Sequence, residues 1–521
     1  MKVFIDKIVN CFHFVTTKQV MLLFLWLVNG QHVYAQYNND FWVFGDSAGI
    51  NWQNPQTPVM FKSLVKDRGC AASLSDSNGL ICYSFDYGST FPPTCVIYNK
   101  YDSLMSNGDF LYGSGWYHDR IIIPDPGNDS MLYIFTAGVT QSGPYGLYYS
   151  TANFKSNNDS GIVIQKNVML NNLPAFDALM AVRHGNGRDW WLIFQRWFAP
   201  NATTPTNEYF IFLISPTGIS GLINQNVGLN HATNLGQIIF NSDGSKFAMV
   251  SLAGLIQLCD FNRCTGQITS FNPIQPEGSG PSFPLVLGSC AFSHNERFLY
   301  VCEASLTNLP STIWQYDLSA ANIALSKLSI GTFNDPDMGV GSMLHAPDGK
   351  IYISTTDEVF NIPYPDTFYS NVNSYLSVIN QPDSLGLACD FQPFSFYLGG
   401  ARTYYGLPNN PDYELGAWVG SPCDTLTVGL TENGEKDDVF FQAWYNPEWN
   451  MIHVNASKLK GKSGVLRLFD MEGRVVYEWK VEVIAGGYFT GEIGMNGIAS
   501  GVYIVSLTTE RDKVQSKVLR F

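Results

Sequence analysis

The residues best suited to chemistry stand just before a series of short apolar segments. They carry carboxylate, guanidinium or imidazole groups, and in chain order they are Asp67, Arg68, His118, Asp119, Arg120, Asp177, His231 and Asp337. Groups of these three kinds around one opening could bind a sugar acid, a peptide terminus or a cation. The alternative is that they pair with one another and with water. Both interpretations require a fold that gathers residues distant in sequence.

Other motifs for catalysis or metal binding are weak. Gly45–Gly49 (GDSAG) has the G-x-S-x-G spacing of a nucleophile elbow, but an elbow needs a helix after the serine, and Ile50–Pro58 (INWQNPQTP) cannot begin one. The oxygens of Asp125–Asp129 and Asn334–Asp337 could hold calcium. Neither stretch has EF-hand spacing, and turn formation explains both equally well. The sequence therefore predicts no catalytic residue, no metal site and no cofactor.

The apolar segments follow one recurring pattern of an apolar strand, a Gly/Asp/Asn turn and a second apolar strand. The copies are Ala71–Tyr83, Ile121–Phe135, Leu179–Phe194, Gln237–Val250, Cys290–Val301 and Met343–Ser354, and their turn centres lie 50 to 59 residues apart. Each copy is followed by enough aromatic strand sequence to complete a four-stranded sheet.

This period with four strands per unit predicts an all-β fold, a six- or seven-bladed β-propeller over residues 36–422. The residues before each innermost strand would then line one mouth of the central channel. A seventh sheet is predicted to combine Phe391–Leu398 with the N-terminal strand Phe41–Phe44. The alternative is a pair of β-sandwiches, which rarely repeat one hairpin so evenly.

Composition and the N-terminus indicate export. The chain has 521 residues, 14% of them charged, and a formal net charge of −14, which argues against nucleic acid or an anionic membrane as a partner. Residues 1–35 read as a signal peptide, with an apolar run at Val20–Val28 and a small-x-small pattern at Val33–Ala35. Nine apolar residues are too few to span a bilayer, so we expect no transmembrane helix in the mature chain.

Export to an oxidising compartment makes disulfides plausible. Candidate cysteines lie near one another in sequence or close the end of the propeller, and they are Cys259 with Cys264, Cys290 with Cys302, and Cys389 with Cys423. Sequence alone leaves the pairing open.

The C-terminal part is a separate small domain. Residues 423–440 form an acidic linker, and residues 441–521 show the period-2 alternation that predicts a small, immunoglobulin-like β-sandwich. Its motif residues are Asn446, Pro447, Asp470, Gly473, Arg474, Gly501, Tyr503 and Lys517. In these marks the domain resembles the type A C-terminal sorting domain of the type IX (Por) secretion system of Bacteroidetes-type bacteria. The opening Tyr-Asn-Pro departs mildly from the Tyr-Pro-Asn-Pro of that family.

The resemblance implies passage across the outer membrane, contact of the tail with the secretion machinery, and release or surface attachment. The body is similar to uncharacterised propeller regions that accompany such tails, which implies no activity. We therefore predict a non-catalytic binding protein with an unknown extracellular ligand, a glycan or a protein. The alternative is a hydrolase or lyase acting on glycan or peptide at the pore mouth. A surface adhesion scaffold would instead present a broad apolar patch.

Overall fold

The structure is a computed structural model. It describes residues 37–87, 94–113, 118–138, 146–197, 206–233, 235–278, 285–305, 310–335, 338–357, 368–424, 440–447, 449–457, 459, 463–470, 473–482, 489–509 and 513–520. The predicted signal peptide, Asp337 and most of the predicted acidic linker lie outside these residues. The chain divides into two compact units, Met1–Trp418 and Val419–Phe521.

The described strands of the first unit form seven antiparallel sheets, here called blades 1 to 7. The short strand β1 (Tyr37–Asn38) pairs with Ser75 and Asp76 of blade 2. Blade 1 is β2 (Phe41–Phe44), β3 (Asp46–Asn51) and β4 (Val59–Lys66); blade 2 is completed by β5 (Ala72–Asp76), β6 (Gly79–Tyr87), β7 (Thr94–Asn99) and β8 (Leu111–Tyr112). Blade 3 is β9 (Arg120–Pro124), β10 (Met131–Gly138), β11 (Gly146–Asn153) and β12 (Ile162–Asn171); blade 4 is β13 (Met180–Arg183), β14 (Trp190–Gln195), β15 (Thr206–Ser215) and β16 (Gly218–His231). Blade 5 is β17 (Gly236–Phe240), β18 (Lys246–Ser251), β19 (Ile256–Asn262) and β20 (Gln267–Gln275); blade 6 is β21 (Leu285–Phe292), β22 (Phe298–Ser305), β23 (Ser311–Asp317) and β24 (Leu328–Phe333). Blade 7 is β25 (Gly339–His345), β26 (Ile351–Thr356), β27 (Tyr375–Ile379) and β28 (Phe391–Tyr397).

Helical structure among the described residues is limited to single turns. They are Ser156–Asp159 between β11 and β12, and the 3₁₀ turns Ala324–Ser326 and Gly386–Cys389.

The six predicted hairpins are the first two strands of blades 2 to 7, so the repeat was identified correctly. Their turns need backbone conformations that the sequence supplies. Gly187, Gly244 and Gly349 adopt φ of 77°, 69° and 81°, and Glu296 takes the same role in blade 6 with φ of 59°. In blades 1 and 3 to 7 the strands pair in chain order, and in blade 2 the short β1 is added beside β5. The first strand of blade 3, β9, is fully buried.

Apolar side chains between neighbouring blades close the ring. Blade 1 packs on blade 7, where the Trp52 ring lies 5.1 Å from the Tyr352 ring and 6.0 Å from the Phe396 ring. On its other side, blade 1 contributes Val43 to a cluster with Tyr83 of blade 2. The fold is therefore a seven-bladed β-propeller.

The predicted composition of the seventh sheet was wrong. Phe391–Tyr397 is the outer strand of blade 7 and pairs with β27, whereas Phe41–Phe44 begins a separate three-stranded blade with β3 and β4. The two segments meet by packing between blades and not by strand pairing. Gly45–Gly49, the elbow-like motif, is the tight β2–β3 turn and the start of β3, and no helix follows it.

The second unit is a β-sandwich. One sheet contains β29 (Phe440–Asn446), β30 (Met451–Ser457) and β33 (Phe489–Gly494); the other contains β31 (Ser463–Phe469), β32 (Val475–Glu482), β34 (Gly501–Thr509) and β35 (Lys513–Arg520). Alternating residues such as Ile452, Leu466 and Val505 are fully buried between the sheets. Among the described residues no helix combines the length and apolar character that crossing a membrane requires.

The predicted disulfides need correction. Cys259, Cys290, Cys302 and Cys389 are buried free thiols, and the disulfide-bonded residues are Cys264 and Cys423. For Cys290 and Cys302 the reason is register: Cys290 pairs with Val301 and Cys302 with Ser289. This offset of one residue turns the two thiols to opposite faces of blade 6.

Candidate functional site

Charged residues at the start of the inner strands form one buried cluster. Arg120, the first residue of β9, donates from Nη1 to Asp67 Oδ2 at 2.9 Å and from Nη2 to Asp119 Oδ1 at 3.1 Å. Nη2 also donates to Asp86 Oδ1, which accepts a hydrogen bond from the Cys95 thiol. The side chains of Arg120, Asp67 and Asp119 are 0% exposed. We call Asp67, Asp86, Cys95, Asp119 and Arg120 the charged cluster.

One guanidinium cannot balance all the carboxylates of the charged cluster. Burial raises the pKa of Asp86 to about 8, although Arg120 acts in the opposite direction. Burial also raises the pKa of Asp67, against the effect of Arg120 and of the hydrogen bond from the Asp86 backbone amide. Removing charges from water favours their neutral form. Both shifts favour the protonated form of these carboxyl groups, and a proton on Asp86 would reduce the excess of negative charge in the cluster.

The charged cluster is not a vacant metal site. Asp86, Cys95 and Asp119 place potential ligand atoms within 4.8 Å of one another, the spacing a metal ion needs. The Arg120 guanidinium already bonds to the two carboxylates. In the first calcium-like stretch, which follows β9, the Asp125 carboxylate accepts a hydrogen bond from the Gly127 amide and so closes a turn. The second stretch, Asn334–Asp337, lies partly outside the described residues.

The remaining predicted residues are dispersed. His118 is buried, its Nδ1 lies 3.0 Å from the Gly236 carbonyl oxygen, and its amide donates to Asp177 Oδ1 at 2.7 Å. The His231 ring packs 4.5 Å from Phe176. Burial lowers the pKa of both histidines to about 4, so both are neutral at pH 7. Arg68 is half-buried.

A segment after blade 7 crosses the centre of the propeller. We call residues 401–418 the strap. The Tyr405 carbonyl oxygen accepts a hydrogen bond from the Ser342 amide of blade 7 at 2.6 Å. The Tyr413 hydroxyl donates a hydrogen bond to the Ile122 carbonyl oxygen of blade 3 at 2.8 Å. Between them, Asn409 Nδ2 donates to the carbonyls of Arg120 and Leu179 at 2.9 and 3.0 Å. The strap therefore ties inner strands of blades 3 and 7 together.

Between the strap and the ends of the inner strands lies a cavity of about 400 Å³, here called the axial cavity. Its walls include apolar residues of the inner strands, such as Ile239 and Phe292, and its rim includes the exposed residues Ser242 and His294. None of the described residues predicted for the pore mouth lines it. Those residues lie at or before the starts of inner strands, and most rim residues follow the ends. Their ligand-binding role stays a prediction.

Two buried amide side chains in the axial cavity have fixed orientations. Gln237 is 4% exposed, and its Oε1 accepts hydrogen bonds from Ser289 Oγ and the Cys290 amide, both at 2.8 Å. Asn409 is 2% exposed, and its Nδ2 donates hydrogen bonds to the carbonyl oxygens of Arg120 and Leu179. In the described structure no residue bonds to Gln237 Nε2 or to Asn409 Oδ1. One donor group and one acceptor are thus left for a ligand.

Two histidines and two acidic residues also line the axial cavity. The rings of His294 and His345 stack at 5.9 Å. Burial and the neighbouring His294 lower the pKa of His345, and no described group bonds to its Nε2. From the strap, Asp412 and Glu414 line the same cavity. Burial, followed by the nearby Asp412 and Asp40 carboxylates, raises the pKa of Glu414.

The sequence analysis missed Asp86, Gln237 and the whole strap. Asp86 had a detectable signal, an acidic residue in the otherwise apolar and aromatic segment Gly79–Tyr87. The strap had a weaker sequence signal, which is the presence of aromatic residues such as Tyr405 and Tyr413 in a stretch rich in Gly, Pro and Asn. Both residues are buried in the structure.

The motif residues of the second unit have structural roles. The Asp470 carboxylate accepts two hydrogen bonds from Arg474, one from the backbone amide at 2.9 Å and one from Nε at 2.8 Å. Gly473, within the same turn, has a φ of 76°. Together they close the turn between β31 and β32. The Tyr503 hydroxyl donates to the Ala499 carbonyl at 2.6 Å, and Lys517 forms an ion pair with Asp424. Gly501 begins β34, and Asn446 and Pro447 stand where β29 ends.

Residues 442–520 match the family described as the secretion system C-terminal sorting domain. No curated protein matches the chain. The chain is a β-propeller protein that carries this sorting domain, which marks it for secretion across the outer membrane by the type IX system.

Several solved structures are similar. A protein from Lactobacillus plantarum has 9% identity and a TM-score of 0.41, with 71% of this chain and 98% of that chain covered. The periplasmic gluconolactonase of Pseudomonas aeruginosa has 12% identity and a TM-score of 0.36, with 78% and 96% covered. PorZ, a surface component of the type IX secretion system of Porphyromonas gingivalis, has 10% identity and a TM-score of 0.26, with 93% and 74% covered. Similarity at this level carries no information on activity.

Proposed function

We propose that this protein is a secreted or cell-surface propeller that binds an extracellular ligand in the axial cavity and catalyses no reaction. A signal peptide over residues 1–35 takes it across the inner membrane, and the sorting domain over residues 441–521 contacts the secretion machinery. Residues 36–422 are the binding body, and residues 423–440 the linker. The observation that carries the proposal is the axial cavity, which is of ligand size and has apolar walls with a few oriented polar groups.

The position of the acidic groups supports binding over catalysis. A general acid or base must come within hydrogen-bond reach of its substrate. The side chains of Asp67 and Asp119 are 0% exposed and bond to Arg120. Asp86, whose side chain is 10% exposed, also bonds to Arg120. The hydrogen-bonding capacity of these carboxylates is therefore directed to Arg120 and not to a substrate.

Binding is tested with glycan and peptide arrays probed by the full chain. Ser242 is exposed at the cavity rim, so Ser242→Trp would block the entrance without entering the core. Ser77→Trp is the matched control, at an exposed position in the β5–β6 turn that does not line the cavity. We expect Ser242→Trp to abolish the wild-type signal and Ser77→Trp to retain it. A signal unchanged by Ser242→Trp would contradict binding in the axial cavity.

Sorting is tested by localisation. We expect the whole chain at the cell surface or in the medium, and a chain truncated before Phe441 in the periplasm. Surface recovery of the truncated chain would contradict the role given to the second unit.

A further inference from the structure

The two unused amide groups in the axial cavity define what kind of ligand fits. The Gln237 side chain cannot rotate its oxygen inward, since that oxygen accepts two hydrogen bonds from blade 6. The Asn409 side chain cannot turn its nitrogen toward the cavity, because Nδ2 donates hydrogen bonds to the carbonyl oxygens of Arg120 and Leu179. Gln237 and Asn409, which both line the cavity, thus hold one N–H donor group and one oxygen acceptor in fixed orientations. Leaving such groups unpaired in a buried site costs free energy that a ligand would recover.

The surroundings of these groups are mainly apolar. Ile239, Phe240, Phe292 and Leu415 line the cavity, and its described lining contains neither Trp nor Tyr. Sugars commonly stack on Trp and Tyr rings, whereas walls of Ile, Leu and Phe suit an apolar side chain. The apolar part of the ligand is therefore an aliphatic or small apolar side chain and not a sugar ring.

The strap adds negative charge and no cation to the lining. Asp412 and Glu414 line the cavity, and the described lining includes no Lys or Arg. Like charges close together repel, so a ligand carboxylate is disfavoured. A neutral amide avoids this penalty.

We propose that the axial cavity binds a peptide segment through its main-chain amides, with an apolar side chain against the wall and without a free carboxylate. The ligand carbonyl accepts from Gln237 Nε2, and a ligand N–H donates to Asn409 Oδ1. This inference rests on the proposed function, because it specifies the ligand class of the same cavity.

The test compares small probes by saturation-transfer NMR and calorimetry on the full chain. N-acetyl-L-leucinamide is the expected ligand, N-acetyl-L-leucine has the same body with a carboxylate, and methyl β-D-glucoside represents sugars. We expect the amide to bind at least tenfold more tightly than the acid, and the glucoside not to bind. Gln237→Glu keeps the oxygen that accepts from Ser289 but removes the donor, and it should weaken amide binding about tenfold. Ser242→Trp should abolish it and Ser77→Trp should not, which keeps the test valid if Gln237→Glu fails to fold.

The outcomes separate the two proposals. Equal binding of amide and acid, or no amide binding, overturns the peptide assignment. If the glucoside or an array glycan binds and Ser242→Trp abolishes that binding, the axial cavity remains the binding site and only the ligand class is wrong. If Ser242→Trp affects no ligand at all, both proposals fail.

Discussion

The starts and the ends of the inner strands carry polar groups of opposite character. At the starts, the charged cluster is closed: Arg120 is surrounded by carboxylates, and its side chain is 0% exposed. At the ends, the axial cavity is open, and Gln237 and Asn409 each keep one unused hydrogen-bonding group. The difference teaches that charged groups gathered in one place can already be bonded to one another. Groups without a partner, held in fixed orientations, are what support the proposed binding site.

The largest expected effect comes from breaking the closed end. Arg120→Met leaves Asp67 and Asp119 buried without a countercharge, which costs about 3–5 kcal/mol of unfolding free energy. Urea unfolding followed by tryptophan fluorescence measures it. Arg297→Ala removes a partly exposed ion pair with Asp317 and should lower the unfolding free energy far less than Arg120→Met does. A midpoint for Arg120→Met equal to that of the control would mean that the charged cluster is not a structural network.

A second prediction concerns the strap, which contacts both ends. Asn409→Ala leaves the buried carbonyls of Arg120 and Leu179 without their donor, and should cost about 1–3 kcal/mol. The same unfolding measurement applies. Asn322→Ala, at an exposed position between β23 and β24, is the control. Equal stability of the two variants would show that the strap does not hold the inner strands.

A third prediction uses pH. The folded state keeps a proton on Asp86 up to about pH 8, whereas unfolded aspartate loses it near pH 4. The stability that Asp86 contributes is therefore greatest below its unfolded pKa and falls as pH rises toward 8, by at most about 1.4 kcal/mol per pH unit. Asp86→Asn should flatten this decline between pH 6.5 and 8, and Asp260→Asn, on the exposed part of β19, should not. Retention of the full slope in Asp86→Asn would place the extra proton elsewhere.

The smallest effect is expected on the acid side. His231 is neutral in the folded state down to about pH 4, but its unfolded form gains a proton near pH 6.5. Stability from this residue is present above pH 6.5 and is lost as pH falls toward 4. His231→Phe should therefore lose less stability than wild type between pH 7 and pH 6, measured by thermal unfolding. An unchanged acid response would assign it to His118 instead.

The sequence was sufficient for the elements that repeat. Alternating apolar residues and a Gly, Asn or Asp turn recur in six hairpins, and each forms the inner half of a blade. Blade 1 was not recognised, because β2 and β3 are joined by a turn too tight to resemble the other hairpins, and only three strands follow one another there. Local pattern does not reveal which strand closes a ring.

The candidate site was predicted only in part. Asp67, Asp119 and Arg120 do come together. Asp67 precedes β5, and Asp119 and Arg120 stand at the start of β9, so all three lie at the same end of neighbouring inner strands. Their spacing could not show that Asp86 completes the cluster and that the side chains of Asp67, Asp119 and Arg120 are fully buried. The axial cavity depends on the strap, whose sequence resembles a loop. Its path is fixed by hydrogen bonds from Asn409 and Tyr413 to strands hundreds of residues away, which no local pattern encodes.

The most direct test of this account is a comparison of array binding by two full-length variants, one altered at each end of the inner strands. We predict that Asp86→Asn retains the ligand profile of the wild type, because the charged cluster is structural, and that Ser242→Trp loses it, because the axial cavity holds the ligand. The reverse result, with binding lost in Asp86→Asn and kept in Ser242→Trp, would move the functional site to the charged cluster and contradict the account.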